Sequence, residues 1–299
     1  MHPWGQVRSA GGQASLRSER MTSTQSTTTS PLSERMVHVG SHRIRVAERI
    51  GDGTEPPLLL MSGFGCSLEV FAPLVEALDP SSGLILFDVP GIGRSRRPMR
   101  PYRLAEIAWV LGEVVDELGH SRVDALGVSW GGALAQQFAF QNPRHCRRLL
   151  LVSTGPAPIM RPSLNAIREM IAARRFNPDD GAEVAASLYG GKVLEDHSLL
   201  EVIQRRLPND PRGERYQQLA LLGWSSLPML PLIRQQTLVL AGDDDRIVPM
   251  LNAKIMAALL PRARLRTFHD GHLGLLTSAD EVAPMIEEFR HFHRLAEAG

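Results

Sequence analysis

The chain has almost no lysine: of its 33 basic residues only Lys192 and Lys254 are not arginine. This is a compositional bias and not a phosphate-binding signature, because 32 acidic residues offset them and the net charge is +1. Without a strong field of one sign, nothing favours nucleic acid or an acidic surface as partner. Cysteine is scarce too, with only Cys66 and Cys146. Two cysteines and no export signal do not make a disulfide framework, so both are expected as free thiols in a reducing, cytoplasmic compartment. No apolar run approaches the length that spans a bilayer, so no transmembrane segment is expected. Residues 1–35 lack the apolar stretch of a secretory signal. Rich in Ser, Thr, Gly, Gln and Arg, they read as a disordered tail with a faint transit-peptide character, and Met21 offers an alternative start. No HExxH, CxxC pair or carboxylate cluster suggests a metal site, so no metal and no cofactor are expected. Internal repeats are absent, and nothing speaks to oligomeric state.

What is present is an alternation of apolar runs and helical spacing. Beyond the tail, about 265 residues remain, enough for one large α/β domain with an inserted subdomain. Val37-His38-Val39 and Ile44-Arg45-Val46-Ala47 alternate around Gly40-Ser41, which predicts a hairpin. Leu58 to Met61, Leu84 to Phe87, Val123 to Val128 and Leu149 to Val152 are continuous apolar strands of the kind buried on both faces. Helical spacing falls at Val70 to Leu78, Leu104 to Leu118 and Ala133 to Ala139. This rhythm indicates a mostly parallel sheet flanked by helices with right-handed crossovers. It breaks over residues 155–232, which carry helical pieces, prolines and arginines but no clear strand, and which read as a helical cap. It resumes with Thr237 to Ala241, a helix near Asn252 to Leu260, Leu265 to Phe268 and a closing helix from Asp280. The expected organisation is a tail (1–35), an α/β core (36–154 and 233–299) and the cap between.

The chemistry centres on Gly127-Val128-Ser129-Trp130-Gly131-Gly132. It fits G-x-S-x-G, the nucleophile elbow of α/β-hydrolases, and it has the required context of strand before and helix after. Small neighbours let strand and helix approach closely around the serine. A serine hydroxyl needs a positioned base, usually a histidine oriented by a carboxylate, and in this fold they follow in the order Ser, acid, His. Asp243, Asp244 and Asp245 follow one late strand. Asp245, just before Arg246-Ile247-Val248-Pro249, is the candidate acid, while the other two suit turn-holding hydrogen bonds. His272, in Asp270-Gly271-His272-Leu273-Gly274, is the candidate base; His269 is its competitor and suits a structural or surface role. An oxyanion hole needs preorganised N–H donors. The amide of Trp130 and one from Ser62-Gly63-Phe64-Gly65-Cys66 are the candidates, with Phe64 ahead of Gly65. Cys66 has no elbow around it, which disfavours it as nucleophile. Gly91-Ile92-Gly93 lacks the third glycine and the following helix of a dinucleotide fingerprint.

These residues carry a narrower resemblance. The chain resembles the intracellular poly(3-hydroxyalkanoate) depolymerases for medium-chain-length polymer from about Pro57 to Phe289. The likeness is densest at Phe87 to Gly91, Gly127 to Ala139, Tyr189-Gly190-Gly191, Leu222-Gly223-Trp224, Thr237 to Asp245 and Asp270 to Leu273. It implies an α/β-hydrolase fold, a triad of Ser129, Asp245 and His272, and hydrolysis of polyester to 3-hydroxyalkanoates at a storage-granule surface. The chain departs from the family at Ser62-Gly63 and Gly65-Cys66-Ser67, and in the arginine-rich stretch from Pro208 to Tyr216. Arg205, Arg206, Arg212 and Arg215 are expected on a solvated face. Leu221, Leu222, Trp224, Leu227, Met229, Leu230 and Leu232 are a candidate apolar lining for an acyl chain, or else core. A carboxylesterase or lipase acting on soluble or lipid esters would use the same triad, and a non-catalytic binding protein on the same fold is the reading from another class.

Overall fold

The computed structural model describes residues 31–156, 181–204, 207 and 209–297. The alternative start at Met21, most of the expected tail, residues 157–180 of the expected cap, and Arg205 and Arg206 lie outside them. The strands are β1 (Ser33–Val39), β2 (His42–Arg49), β3 (Leu58–Met61), β4 (Leu84–Phe87), β5 (Val123–Val128), β6 (Cys146–Val152), β7 (Gln236–Gly242) and β8 (Ala263–Phe268). They form one sheet in the order β1-β2-β4-β3-β5-β6-β7-β8. The β1–β2 hairpin is antiparallel and β2 joins β4 antiparallel; every later pairing is parallel.

The helices are α1 (Ala72–Ala77), α2 (Leu104–Glu117), α3 (Trp130–Gln141), α4 (Gly181–Tyr189), α5 (Pro211–Leu221), α6 (Met250–Leu259) and α7 (Ala279–Glu297). Strand periodicity divides the core into two layers. Leu59, Met61, Ile85 and Phe87 face α2, α3 and α6. Their neighbours Leu58, Leu60, Leu84 and Leu86 face α1 and α7. This is why the central strands read as unbroken apolar runs. At the β8 edge, Arg264 and Arg266 oppose pairing with another chain.

The chain leaves β3, lays β4 on one side of it and β5 on the other. The connection after β3 runs to α1 on one face of the sheet, and β5 runs directly into α3 on the other. Such a reversal opens a crevice at the carboxyl ends of the strands. Between β6 and β7, the described residues hold α4, α5 and short turns, with no strand among them. Helix α5 starts on Asp210, whose side chain accepts the Arg212 amide (2.9 Å), with Pro211 in the first turn as helix starts favour.

Order begins slightly earlier than expected: β1 starts at Ser33, ahead of the predicted boundary after residue 35. The reason is a long-range ion cluster. Arg45 is buried and binds both carboxylate oxygens of Glu34 (2.7 and 3.0 Å), Glu69 (2.7 Å) and Asp88 (3.2 Å). Burial opposes its charge, but the carboxylates outweigh it and hold the guanidinium pKa above its ordinary value. Asp88, fully enclosed, also accepts the amides of Leu68 and Arg94 (2.8 Å each). It is therefore a structural hub and not part of a nucleotide site. Substituting Arg45→Met leaves two buried carboxylates without a cation. It should cost about 3–5 kcal/mol, read as a lowered urea midpoint; a loss below about 1 kcal/mol would show that the cluster does not hold β1 and β2 to the core.

Candidate active site

Ser129 sits between the last residue of β5 and the first of α3, with φ 53° and ψ −117°. A serine at positive φ is strained and persists only where its surroundings enforce it. They do so by contact: a Cβ on Gly127 would collide with the Gly131 carbonyl, and one on Gly131 with the Met61 and Ser62 carbonyls. The Ser129 amide donates to Val152 O (3.1 Å), and the Thr154 hydroxyl donates to Ser129 O (2.7 Å). Both ends of the residue are thereby tied to β6 and its following loop, and the hydroxyl is presented above the sheet.

His272 lies against it. The Ser129 hydroxyl is 3.0 Å from His272 Nε2. On the other side of the ring, Nδ1 is 3.0 and 3.1 Å from the Asp245 oxygens. A carboxylate only accepts, so Nδ1–H donates to Asp245 and Nε2 is left to accept the serine proton. Asp245 Oδ1 is itself held by the amides of Ile247 (3.0 Å) and Val248 (2.8 Å). The structure thus brings Ser129, His272 and Asp245 into one hydrogen-bonded chain, with the imidazole and the carboxylate buried. The competitor His269 is 90% exposed and pairs with Asp243 (2.6 Å) away from that chain. Asp243 therefore binds a side chain, and Asp244 accepts the amide of Gly191 (2.8 Å). Neither simply braces its own turn, as had been expected.

Sequence reading missed what holds the histidine loop. The His272 amide donates to Tyr189 O (2.8 Å), and the Tyr189 ring lies nearly parallel to the imidazole, 16° apart with centroids at 6.2 Å. Gly191, at φ 63°, allows this approach, since a Cβ there would overlap the Gly271 amide. Asp270 is buried and accepts four donors: the amides of Gly271 (2.7 Å) and Lys192 (2.9 Å) and the hydroxyls of Thr277 and Ser278 (2.6 Å each). The signals available in the sequence were the glycine pair after Tyr189 and the aspartate before Gly271.

The loop after β3 also borders Ser129, since a Cβ on Gly63 would lie 3.7 Å from Ser129 Cβ. Of the candidate donors there, the Gly65 amide is committed to Gln217 Oε1 (2.9 Å). The Phe64 and Trp130 amides find no acceptor among the described residues. Trp130 opens α3, where helix geometry leaves the amide unpaired and the dipole is positive. Cys66 and Cys146 are free thiols, and burial pushes the Cys146 thiol well above its ordinary range. Among the described residues no group of three or more His, Cys, Asp or Glu is placed to hold a metal, and no helix is long and apolar enough to cross a membrane.

The expected acyl-lining cluster does not form one surface. Leu230 is core, Leu221, Trp224 and Leu227 pack partly buried beside it, and Leu222 and Leu232 are 81% and 59% exposed. Arg212 and Arg215 are exposed, as expected.

Residues 56–279 match the family model described as alpha/beta hydrolase fold. The chain belongs to the α/β-hydrolase family. Within it, the chain is 40% identical to a poly(3-hydroxyalkanoate) depolymerase of Ectopseudomonas oleovorans, over 85% of this chain and 91% of that one. It is 30% identical to a pimeloyl-[acyl-carrier protein] methyl ester esterase of Stenotrophomonas maltophilia, covering 79% of this chain and 93% of the relative. Among solved structures, a thermophilic esterase from Thermogutta terrifontis superposes with a TM-score of 0.70 at 25% identity, covering 87% of this chain and 98% of that one. The enol-lactonase from Burkholderia xenovorans LB400 does so with 0.71 at 19% identity, covering 85% and 99%; it shares the fold. The depolymerase resemblance read from the sequence is supported over nearly the whole matched length.

In an α/β-hydrolase with this geometry, a fluorophosphonate probe should label Ser129. Asp245→Asn should slow labelling by about 10³-fold or more through loss of the productive tautomer. His269→Ala and Asp243→Asn should label at the parent rate; a loss there comparable to Asp245→Asn would contradict the assignment of His272.

Proposed function

We propose that the chain is a serine esterase that cleaves the ester bonds of medium-chain poly(3-hydroxyalkanoate). The observation that carries the chemistry is the hydrogen-bonded chain from the Ser129 hydroxyl through His272 to Asp245. The 40% identity to the depolymerase supports the substrate. His272 takes the proton as Ser129 Oγ attacks the ester carbonyl. The amides of Phe64 and Trp130 receive the oxyanion. His272 then gives the proton to the departing alkoxide, the 3-hydroxyl end of the released fragment. Water, activated by the same imidazole, hydrolyses the acyl-enzyme. Asp245 holds the tautomer and stabilises the imidazolium, staying ionised throughout.

In this reading residues 36–154 and 233–299 form the catalytic core and 155–232 a cap over the crevice. The cap grips the histidine loop through Tyr189 and Lys192, and the oxyanion loop through Gln217. The substrate approaches at a storage-granule surface in the cytoplasm. A polyester requires no cofactor, because ester hydrolysis needs only water and the proton shuttle.

A soluble-ester reading rests on the 30% identity to methyl ester esterases and uses the same residues. The two separate on substrate. Amorphous medium-chain granules should release 3-hydroxyacids with the parent enzyme and not with Ser129→Ala, whose turnover should fall by about 10⁴-fold or more. No release from granules, together with Ser129-dependent cleavage of a soluble octanoate ester, would replace the depolymerase reading with the soluble-ester one. A chain that did neither would be a binding protein on a hydrolase fold.

A further inference from the structure

The insertion takes hold of Gly65 by both its main-chain N–H and its carbonyl. Gln217, on α5, accepts the Gly65 N–H through Oε1 (2.9 Å). Asn209 donates to the Gly65 carbonyl through Nδ2 (2.7 Å). Two residues on, the Ser67 hydroxyl accepts the Leu207 amide (2.8 Å). Gln217 also reaches the other half of the oxyanion site, because its main-chain carbonyl accepts the Trp130 indole N–H (3.0 Å). One fully buried residue therefore bonds the main chain next to Phe64 and the side chain of Trp130, the two residues whose amides are left without acceptors among the described residues.

The amide orientation of Gln217 is not arbitrary. Gly65 N–H can only donate, so Oε1 must face it, and this leaves Nε2 buried with no partner among the described residues. A buried donor left unpaired works against folding.

We propose that Gln217 is a positioning residue of the oxyanion hole, fixing the Phe64 amide through Gly65 and the Trp130 amide through the indole. Catalysis then depends on the cap being seated, because the donors reach their working geometry only when α5 is docked. The proposal rests on the esterase reading above. It differs from a packing role in what it predicts: the loss should appear in transition-state binding and not in substrate binding.

The test uses the full chain and a soluble octanoate ester. Gln217→Met keeps the length of the side chain without its hydrogen bonds. It should lower kcat by about 10–100-fold with KM within about threefold, and should weaken an octyl trifluoromethyl ketone, which forms a tetrahedral adduct on Ser129, by the same factor as kcat/KM. Gln218→Ala, an exposed neighbour on α5, should match the parent. A folded Gln217→Met enzyme with parental kcat and inhibitor affinity overturns the proposal. If that variant does not fold, Trp130→Phe decides. It keeps the main-chain amide and removes the indole bond to Gln217 along with part of a buried ring; a kcat loss of about 3–10-fold matched by the inhibitor, with KM within about threefold, supports the proposal, and parental values overturn it. A parent enzyme that neither turns over the ester nor binds the ketone would instead sink the esterase reading, and this proposal with it.

Discussion

The main-chain approach of β5, β3 and α3 at Ser129 is the constraint on which the site depends. Gly131 packs its Cα against the last carbonyls of β3, and Gly127 against the first turn of α3. No side chain fits at either position. The serine between them is driven to φ 53°, and strain at that one residue is what lifts the hydroxyl out of the sheet. Strong strand pairing and burial on both sides make the cost bearable: the central strands are enclosed by helices on both faces, so the elbow cannot relax without opening the core. The Arg45 cluster extends the same rigidity to the antiparallel edge, where a single guanidinium collects three carboxylates.

Around that fixed point, two loops must be brought into register, and neither is positioned by the core alone. The histidine loop is braced by Asp270 and by the Tyr189 to Lys192 segment. The oxyanion loop is braced by Asn209 and Gln217. Asp270 belongs to the loop after β8, whereas Tyr189 to Lys192, Asn209 and Gln217 all come from the insertion between β6 and β7. The insertion therefore hydrogen-bonds the two loops that flank Ser129, where misplacement by about 1 Å is costly to an active site.

How much of this was legible in the sequence follows from the range of each interaction. The elbow is local: strand, glycines, serine and helix all lie between Val123 and Gln141, and each leaves its own mark. Asp245 and His272 stand in loops directly after β7 and β8, so their placement follows once those strands are found. The alternation of apolar runs was enough for the parallel sheet. The braces were illegible because they join residues far apart with no shared pattern: Gly65 and Gln217 are 152 positions apart, and Gly65 and Asn209 are 144 apart. The order of Ser33 to Arg35 was missed for the same reason, since Arg45 and Glu48 supply it. The apolar run from Leu221 to Leu232 misled because composition does not say which way a side chain faces; Leu230 turns to the core and Leu222 to solvent.

The central claim is that Ser129 forms a covalent acyl intermediate. The most direct measurement is intact-protein and peptide mass spectrometry of enzyme acid-quenched during turnover of a 3-hydroxyoctanoate ester. The account predicts one added acyl group, on the peptide carrying Ser129, that disappears as substrate is exhausted. Turnover with no adduct at any quench time, or an adduct on the peptide carrying Cys66, would contradict it.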